Sequence, residues 1–347
     1  MNSLSLLRKR MITVISLCVL TLVIFFFSLF IGSSNMSFTD ALLGLFNQGE
    51  QVNRIIMLNI RLPRVIAALL AGIALSISGV IMQTVSNNVM ASPTTLGVSN
   101  SAVLGANIAI IVIGGGMIPV TGGKVFVENP YLTSLFAFLF ALGGTLLVLG
   151  LSRFKKFNTA TTVLIGVTFG TFCTGATTLI QYFATDTTLS SAIYWSFGDL
   201  GRATYTYDLI ILVVTLVALL FFLIFSYRYN ALLLGEDTSR TLGINLNIFR
   251  FISLLLASLL TAVCVSLLGI IGFIGLVVPQ IMRKIVGNDH KYLLTTSSLF
   301  GACFLLICDD ISRVAANGIS LPVGAITSLI GAPIFILILL LSRRKKS

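Results

Sequence analysis

The chain has 347 residues, 56% of them hydrophobic and only 10% charged, with a mean hydropathy of +1.05. Soluble domains carry about 25% charged residues, so this composition excludes an ordinary soluble domain and describes a polytopic membrane protein. The net charge of +11 collects at the ends of apolar runs rather than over one aromatic-studded face, which excludes a nucleic-acid-binding surface.

Arg8-Lys9-Arg10 precedes twenty-one uncharged residues, 11–31, too long an apolar run for a signal peptide and long enough to span. Residues 32–60 are mixed and polar. Arg61-Leu62-Pro63-Arg64 then opens a charge-free stretch from Val65 to Gly123, far too long for one crossing. The turn chemistry of 86–93 divides it into helices at about 64–85 and 95–113. Residues 114–130 are Gly- and Pro-rich and read as a loop. Helices follow at about 131–151, 160–183 and 208–226, with Trp195 expected in an interfacial belt along 184–207.

The run 251–282 divides at Gly269, Gly272 and Gly275 into helices at about 249–268 and 272–286, the second kinked by Pro279. The last two helices fall at about 292–308, with Asp309, Asp310 and Arg313 at its far end, and 322–342. No polar stretch is long enough to fold separately, so residues 1–347 read as one all-α transmembrane domain of ten helices.

Ten crossings put both termini on one side. The proposed inner segments hold sixteen basic residues: Arg8, Lys9, Arg10, Arg153, Lys155, Lys156, Arg228, Arg240, Arg250, Arg283, Lys284, Lys291 and Arg343 to Lys346. The outer ones hold six: Arg54, Arg61, Arg64, Lys124, Arg202 and Arg313. The bias makes the termini cytoplasmic.

It also places Leu234–Asn245, the most polar run in the second half, in the cytoplasm. This run reads as a short helix, capped by Asp237 or Thr238 and ended by a left-handed Gly243. It is either a solvated link or a handle that a soluble partner grips.

The chemistry is sparse. No GxxxxGK[ST] loop, HExxH or GxSxG occurs, so neither nucleotide hydrolysis nor another enzymatic activity is expected. The five cysteines lie in apolar segments and read as small buried residues; with one histidine, His290, no metal site or other cofactor is expected. The helix centres carry no ionisable group of the kind an ion-coupled carrier uses, so the energy source is placed in a partner. Arg61 and Arg64, three apart, share one side of a helix start. With Arg313 they either touch headgroups or form a positive ring for a partner's carboxylates.

Arg61-Leu62-Pro63-Arg64, Gly72 and Ser78-Gly79…Met82-Gln83 resemble the start of the second helix of FecCD-type permeases. These are membrane subunits of ATP-driven importers of iron chelates, haem and cobalamin. The resemblance continues, in order, through Leu96-Gly97-Val98-Ser99, Leu234-Gly235-Glu236…Leu242-Gly243, Gly272-Phe273-Ile274-Gly275-Leu276-Val277-Val278-Pro279, Asp289-His290, Asp309…Arg313, Leu321-Pro322-Val323-Gly324 and Gly331-Ala332-Pro333.

The resemblance implies a type II ABC importer permease in the plasma membrane of a bacterium, surrounded by membrane lipid. It implies a second permease copy or paralogue, two cytoplasmic ATP-binding subunits, and an extracytoplasmic binding protein that delivers a ferric siderophore, haem or cobalamin. Siderophore is taken first, on its frequency in the family. Transport would proceed by alternating access driven by the ATPases.

By similarity, Arg61, Arg64 and Arg313 dock the binding protein. Gly235, Glu236, Asp237, Ser239, Arg240, Leu242 and Gly243 enter the ATPase cleft. Asn88, Met90, Thr159 and Ala160 form a cytoplasmic gate. Two departures stand out. Asn88-Val89-Met90-Ala91-Ser92-Pro93 lacks the first proline and the acidic residue of the family turn, and Gln280 follows Pro279 where the family often has histidine.

Overall fold

The apolar runs become helices, and short capped elements fill the links. The computed structural model describes residues 3–32, 36–114, 117–120, 124–127, 129–153, 159–315 and 320–343. Lys155, Lys156 and the basic residues 344–346 lie outside them.

In chain order the helices are α1 (Ser3–Phe30), α2 (Phe38–Leu45), α3 (Gln51–Ile55), α4 (Leu62–Val85), α5 (Val98–Asn107), α6 (Pro130–Arg153), α7 (Thr159–Tyr182) and α8 (Asp186–Ser196). Then come α9 (Tyr205–Ile224), α10 (Ser226–Leu233), α11 (Glu236–Thr241), α12 (Leu246–Leu268), α13 (Ile274–Val286), α14 (His290–Val314) and α15 (Val323–Arg343). A π-helical turn, Ile56–Arg61, joins α3 to α4, and another, Ile108–Val112, extends α5.

Every one of the ten stretches expected to be helical is helical. By length and composition, seven helices among the described residues can cross a membrane, and two shorter apolar ones accompany them. The longest continuous helix runs from Gln51 to Val85, 35 residues. That is about 52 Å at 1.5 Å per residue, against a hydrocarbon core of about 30 Å. It is therefore longer than a single upright crossing requires.

Three readings of the links need correction. Residues 114–130 hold an antiparallel hairpin, β1 (Met117–Val120) with β2 (Lys124–Val127), not only a loop. Trp195 belongs to α8 and is 3% exposed, so it is a packed side chain and not part of an interfacial belt. And α14 runs on to Val314, taking Asp309, Asp310 and Arg313 inside the helix.

The chain forms two compact units. The first comprises Met1–Val80, Asp199–Asn230 and Ile271–Ser347. In it α4 is the core, 83% of its most apolar window being buried, while α1 is only 17% buried and turns an apolar surface outward. Small residues let its helices approach closely. A Cβ on Gly79 of α4 would lie 2.0 Å from the carbonyl oxygen of Gly275 in α13, and one on Gly72 would lie 2.4 Å from that of Gly301 in α14. Pro279, four residues after Gly275, has no N–H for that carbonyl, and α13 continues through it.

The second unit comprises Ile81–Gly198 and Ala231–Ile270. Here α5, α6 and α12 pack together, α7 lies on α5, and α12 is 72% buried. Four of the five cysteines are buried, Cys18 is exposed, and all are free thiols.

Gly79→Ala forces backbone apart and is expected to cost about 1–3 kcal/mol. Gly143→Ala, with nothing within 4 Å of its Cβ, is expected to be neutral or to gain up to about 1 kcal/mol from helix propensity. Thermal midpoints of the purified protein, followed by size exclusion, compare the two; equal midpoints would contradict the close packing.

Candidate functional site

The arginines of the expected docking ring are held inward by two aspartates of α14 and by the end of α1. Arg64, on α4, donates from Nε to Asp309 Oδ1 at 2.8 Å, and from Nη2 to the hydroxyls of Ser312 at 3.1 Å and Ser320 at 3.0 Å. Arg313 Nε lies 3.0 Å from Asp309 Oδ2, an ion pair without hydrogen-bond alignment, and Arg313 also pairs with Asp310. Asp310 accepts from Ser28 Oγ at 2.7 Å.

The remaining donors serve the last carbonyls of α1. Arg313 Nη1 reaches Ser28 O at 2.9 Å and Ile31 O at 2.7 Å; Arg61 Nη1 reaches Leu29 O at 3.3 Å and Phe30 O at 3.2 Å. A helix C-terminus leaves carbonyls unpaired and carries about half a negative charge, so the third arginine is matched although the cluster has only two carboxylates. Arg61, Arg64 and Arg313 are 5%, 7% and 5% exposed and Asp309 is fully buried. In this geometry the three arginines tie α1, α4 and α14 together.

The turn after α4 keeps its shape without the family proline. Asn87 takes a left-handed φ of 42°, with Asn87 N–H on Thr84 O at 3.1 Å and Asn88 N–H on Gln83 O at 3.0 Å, closing the helix as glycine usually does. Asn88 Oδ1 accepts from Met90 N–H at 2.9 Å, an Asx turn. Ser92 and Thr95 then form a reciprocal capping box around the 3₁₀ turn Pro93–Leu96.

That 3₁₀ turn lies on α7: a Cβ on Gly166 would be 2.2 Å from Thr95 O. Asn88 is half-buried and Met90 exposed. Thr159 and Ala160 open α7 two turns before Gly166; their side chains lie outside the described residues.

Farther along α7 comes a feature that sequence reading missed. Thr168, Thr171, Thr174 and Thr178 are all exposed, on a helix only 22% buried in its most apolar window. Thr171, Thr174 and Thr178 each donate to the carbonyl four residues back, at 3.0 Å. The three- and four-residue spacing of these threonines was the signal available.

In the Leu234–Asn245 run, Gly235 and not Asp237 or Thr238 is the N-cap, with φ 114°. Only glycine takes that conformation at low cost, and Ser239 anchors it by donating to Gly235 O at 2.9 Å. The expected left-handed Gly243 is present, with φ 76°. Gly243 N–H bonds Arg240 O at 2.9 Å and Ile244 N–H bonds Ser239 O at 3.2 Å, a Schellman ending.

Glu236 accepts from Arg250 of α12 at 2.8 Å, which fastens the short helix down. Its second partner, Arg240, stands 3.6 Å away and 66% exposed, a geometry worth only about 0.3–0.5 kcal/mol. Ser239 is buried, so within this segment Asp237, Arg240 and Leu242 are exposed, together with Leu234 at 73%.

A model of the FecCD transport family matches residues 20–341, nearly the whole chain. The chain belongs to the FecCD transport family. This FecCD chain is 40% identical to a protein assigned as an ABC transporter permease in Methanocaldococcus jannaschii, over 96% of this chain and 95% of that one. It is 34% identical to the hemin transport system permease of Yersinia pestis, over 84% and 85% of the two chains. It is 38% identical to the vitamin B12 import system permease of Escherichia coli, over 82% and 83%.

A solved inward-facing structure, assigned to the metal-chelate type of ABC transporters, matches with a TM-score of 0.81 at 28% identity, covering 94% of this chain and 98% of that one. The FecCD chain is thus an ABC transporter permease, a multi-pass protein of the cell membrane.

Removing one member of a buried charge pair costs about 3–5 kcal/mol, so Asp309→Asn and Arg64→Glu are expected to lose most of the folded, monodisperse permease. A folded Arg64→Glu protein that fails only in salt-sensitive docking of a binding protein would show that Arg64 serves docking and not the fold.

Proposed function

We propose that this permease, one transmembrane domain of ten spans with both termini cytoplasmic, imports a metal chelate by alternating access, driven by cytoplasmic ATPases that grip α11. The observation that carries the reading is the exposed set Leu234, Asp237, Arg240 and Leu242 on a helix fixed from beneath by Glu236–Arg250 and closed at both ends by glycines. The chain supplies the path and no catalysis; the partner hydrolyses ATP. Two permease subunits, identical or paralogous, form the path. A binding protein delivers the cargo at the end that carries Arg61, Arg64 and Arg313, where the arginines' task is to hold that end in shape. The turn at Asn88 and Met90, with Thr159 and Ala160, closes the cytoplasmic side.

The cargo class rests on the relatives. Those whose names state a cargo carry hemin and vitamin B12, both metal chelates. Ferric siderophore is the third member of that class and the one the family resemblance favours. Competition for transport among the three, using the adjacent binding protein, orders them.

The contact with the ATPase is tested by pull-down. Leu242→Asp and Arg240→Ala are each expected to weaken ATPase binding about tenfold or more, as central interface residues do. Glu236→Gln loosens the attachment of α11 to α12 and is expected to act on complex stability rather than on a direct contact. Wild-type binding by Leu242→Asp would remove α11 from the interface.

One observation favours a second reading, an ion-coupled carrier. Asp208, in the first turn of α9, is 5% exposed and neither carboxylate oxygen has a hydrogen-bond partner, and buried carboxyls in membrane spans often serve ions. Asp208→Asn is expected to leave ATP-driven uptake intact; uptake that follows an ion gradient and vanishes in this variant would replace the ATPase reading.

A further inference from the structure

α10 leads directly into the α11 segment, and its Asn230 is fastened to the start of α14, sixty residues on. Asn230 Oδ1 accepts from the backbone N–H of His290 at 2.9 Å and from its ring Nδ1 at 2.7 Å. Asn230 Nδ2 donates to Asp289 Oδ1 at 3.2 Å. These bonds fix the amide one way round: reversed, its NH₂ would face two donors and its oxygen a carboxylate. They also place the proton of His290 on Nδ1.

Asp289 is held in turn. Its Oδ2 receives Arg10 Nη1 at 3.1 Å, and Arg10 Nε reaches Val286 O at 3.0 Å, capping the end of α13. Beside Asn230, the buried Tyr229 packs its ring against that of His290, centroids 5.6 Å apart.

Ordinary capping explains only part of this. Asp289 already caps α14 by accepting from Lys291 N–H at 3.2 Å, and water could have served the His290 N–H. A side chain from α10 does so instead. From Asn230 the chain stays turned up to Gly235, through Leu234 N–H on Ala231 O at 3.0 Å and Gly235 N–H on Leu232 O at 3.3 Å.

We propose that Asn230 is a positioning residue that joins the α11 segment to α14, so that displacement of that segment by an ATPase is delivered through α10 to the start of α14. The inference rests on the ATPase reading above. Asp289 is the receiving group, and Arg10 keeps it in register with the ends of α13 and α1.

The test uses the full permease with its ATPase in lipid nanodiscs. The exposed Val314, at the far end of α14, is changed to cysteine in a Cys18→Ser background. Maleimide labelling is timed without nucleotide and after trapping with MgATP and vanadate.

Without further change, trapping is expected to alter the labelling rate by about five-fold, the low end of typical coupling between sites. Asn230→Ala, and Asn230→Asp with its carboxylate facing Asp289, are expected to abolish the response while ATPase pull-down persists.

An undiminished response in Asn230→Ala overturns the proposal. So does a silent reporter in the parent permease with ATPase bound. Failure of the parent permease to bind ATPase at all is a different result and sinks the ATPase reading first.

Discussion

Asp309 has no exposed surface, yet it lies in a helix that is otherwise apolar for most of its length. A lone buried carboxylate would cost many kcal/mol or lose its charge. Two guanidinium groups, from α4 and from one turn farther along α14, make it tolerable; Arg64 also donates to Ser312 and Ser320, and Arg313 to the last carbonyls of α1. Three helices from distant parts of the sequence are thereby held at one end by a single acidic group. Such a cluster adds little net stability compared with an apolar core of the same shape. Its contribution is register, since it joins three helices at one end.

Much of the architecture was legible because a membrane span is a long apolar run bounded by charge or turn residues, and all ten such runs are helices. Legibility failed where polar residues are satisfied by the protein itself. Asp309, Asp310 and Arg313 look like the end of a helix because charges usually seek water; here they meet each other, and α14 continues past them. The same reasoning put Arg61 and Arg64 outside, at a surface, and pairing drew them in. Trp195 was read by residue type, and its burial is set by tertiary packing. Short capped helices such as α2 were hidden by a mixed composition, although Ser37 accepts from Asp40 N–H and marks its start.

The Leu234–Asn245 segment shows the opposite pattern. Its C-terminal end was readable because glycine is nearly the sole residue that enters the left-handed region without cost, and Gly243 does so; its N-terminal cap was not, since Gly235 takes the place given to Asp237 or Thr238. Its attachment was not, since Glu236 finds Arg250 across fourteen residues and nothing in either residue's neighbourhood announces the pairing. The division of labour follows: Glu236, Ser239 and the two glycines shape and hold the segment, and Asp237, Arg240 and Leu242 remain turned outward. Under the function proposed above, that outward face is where the motor binds.

The threonines of α7 carry a consequence of another kind. Each back-bonded hydroxyl has already given its proton to its own helix, so the face they build offers lone pairs and few donors. Water wets such a surface easily. A group that brings only acceptors gains few hydrogen bonds along it, whereas one that brings donors finds lone pairs already aligned.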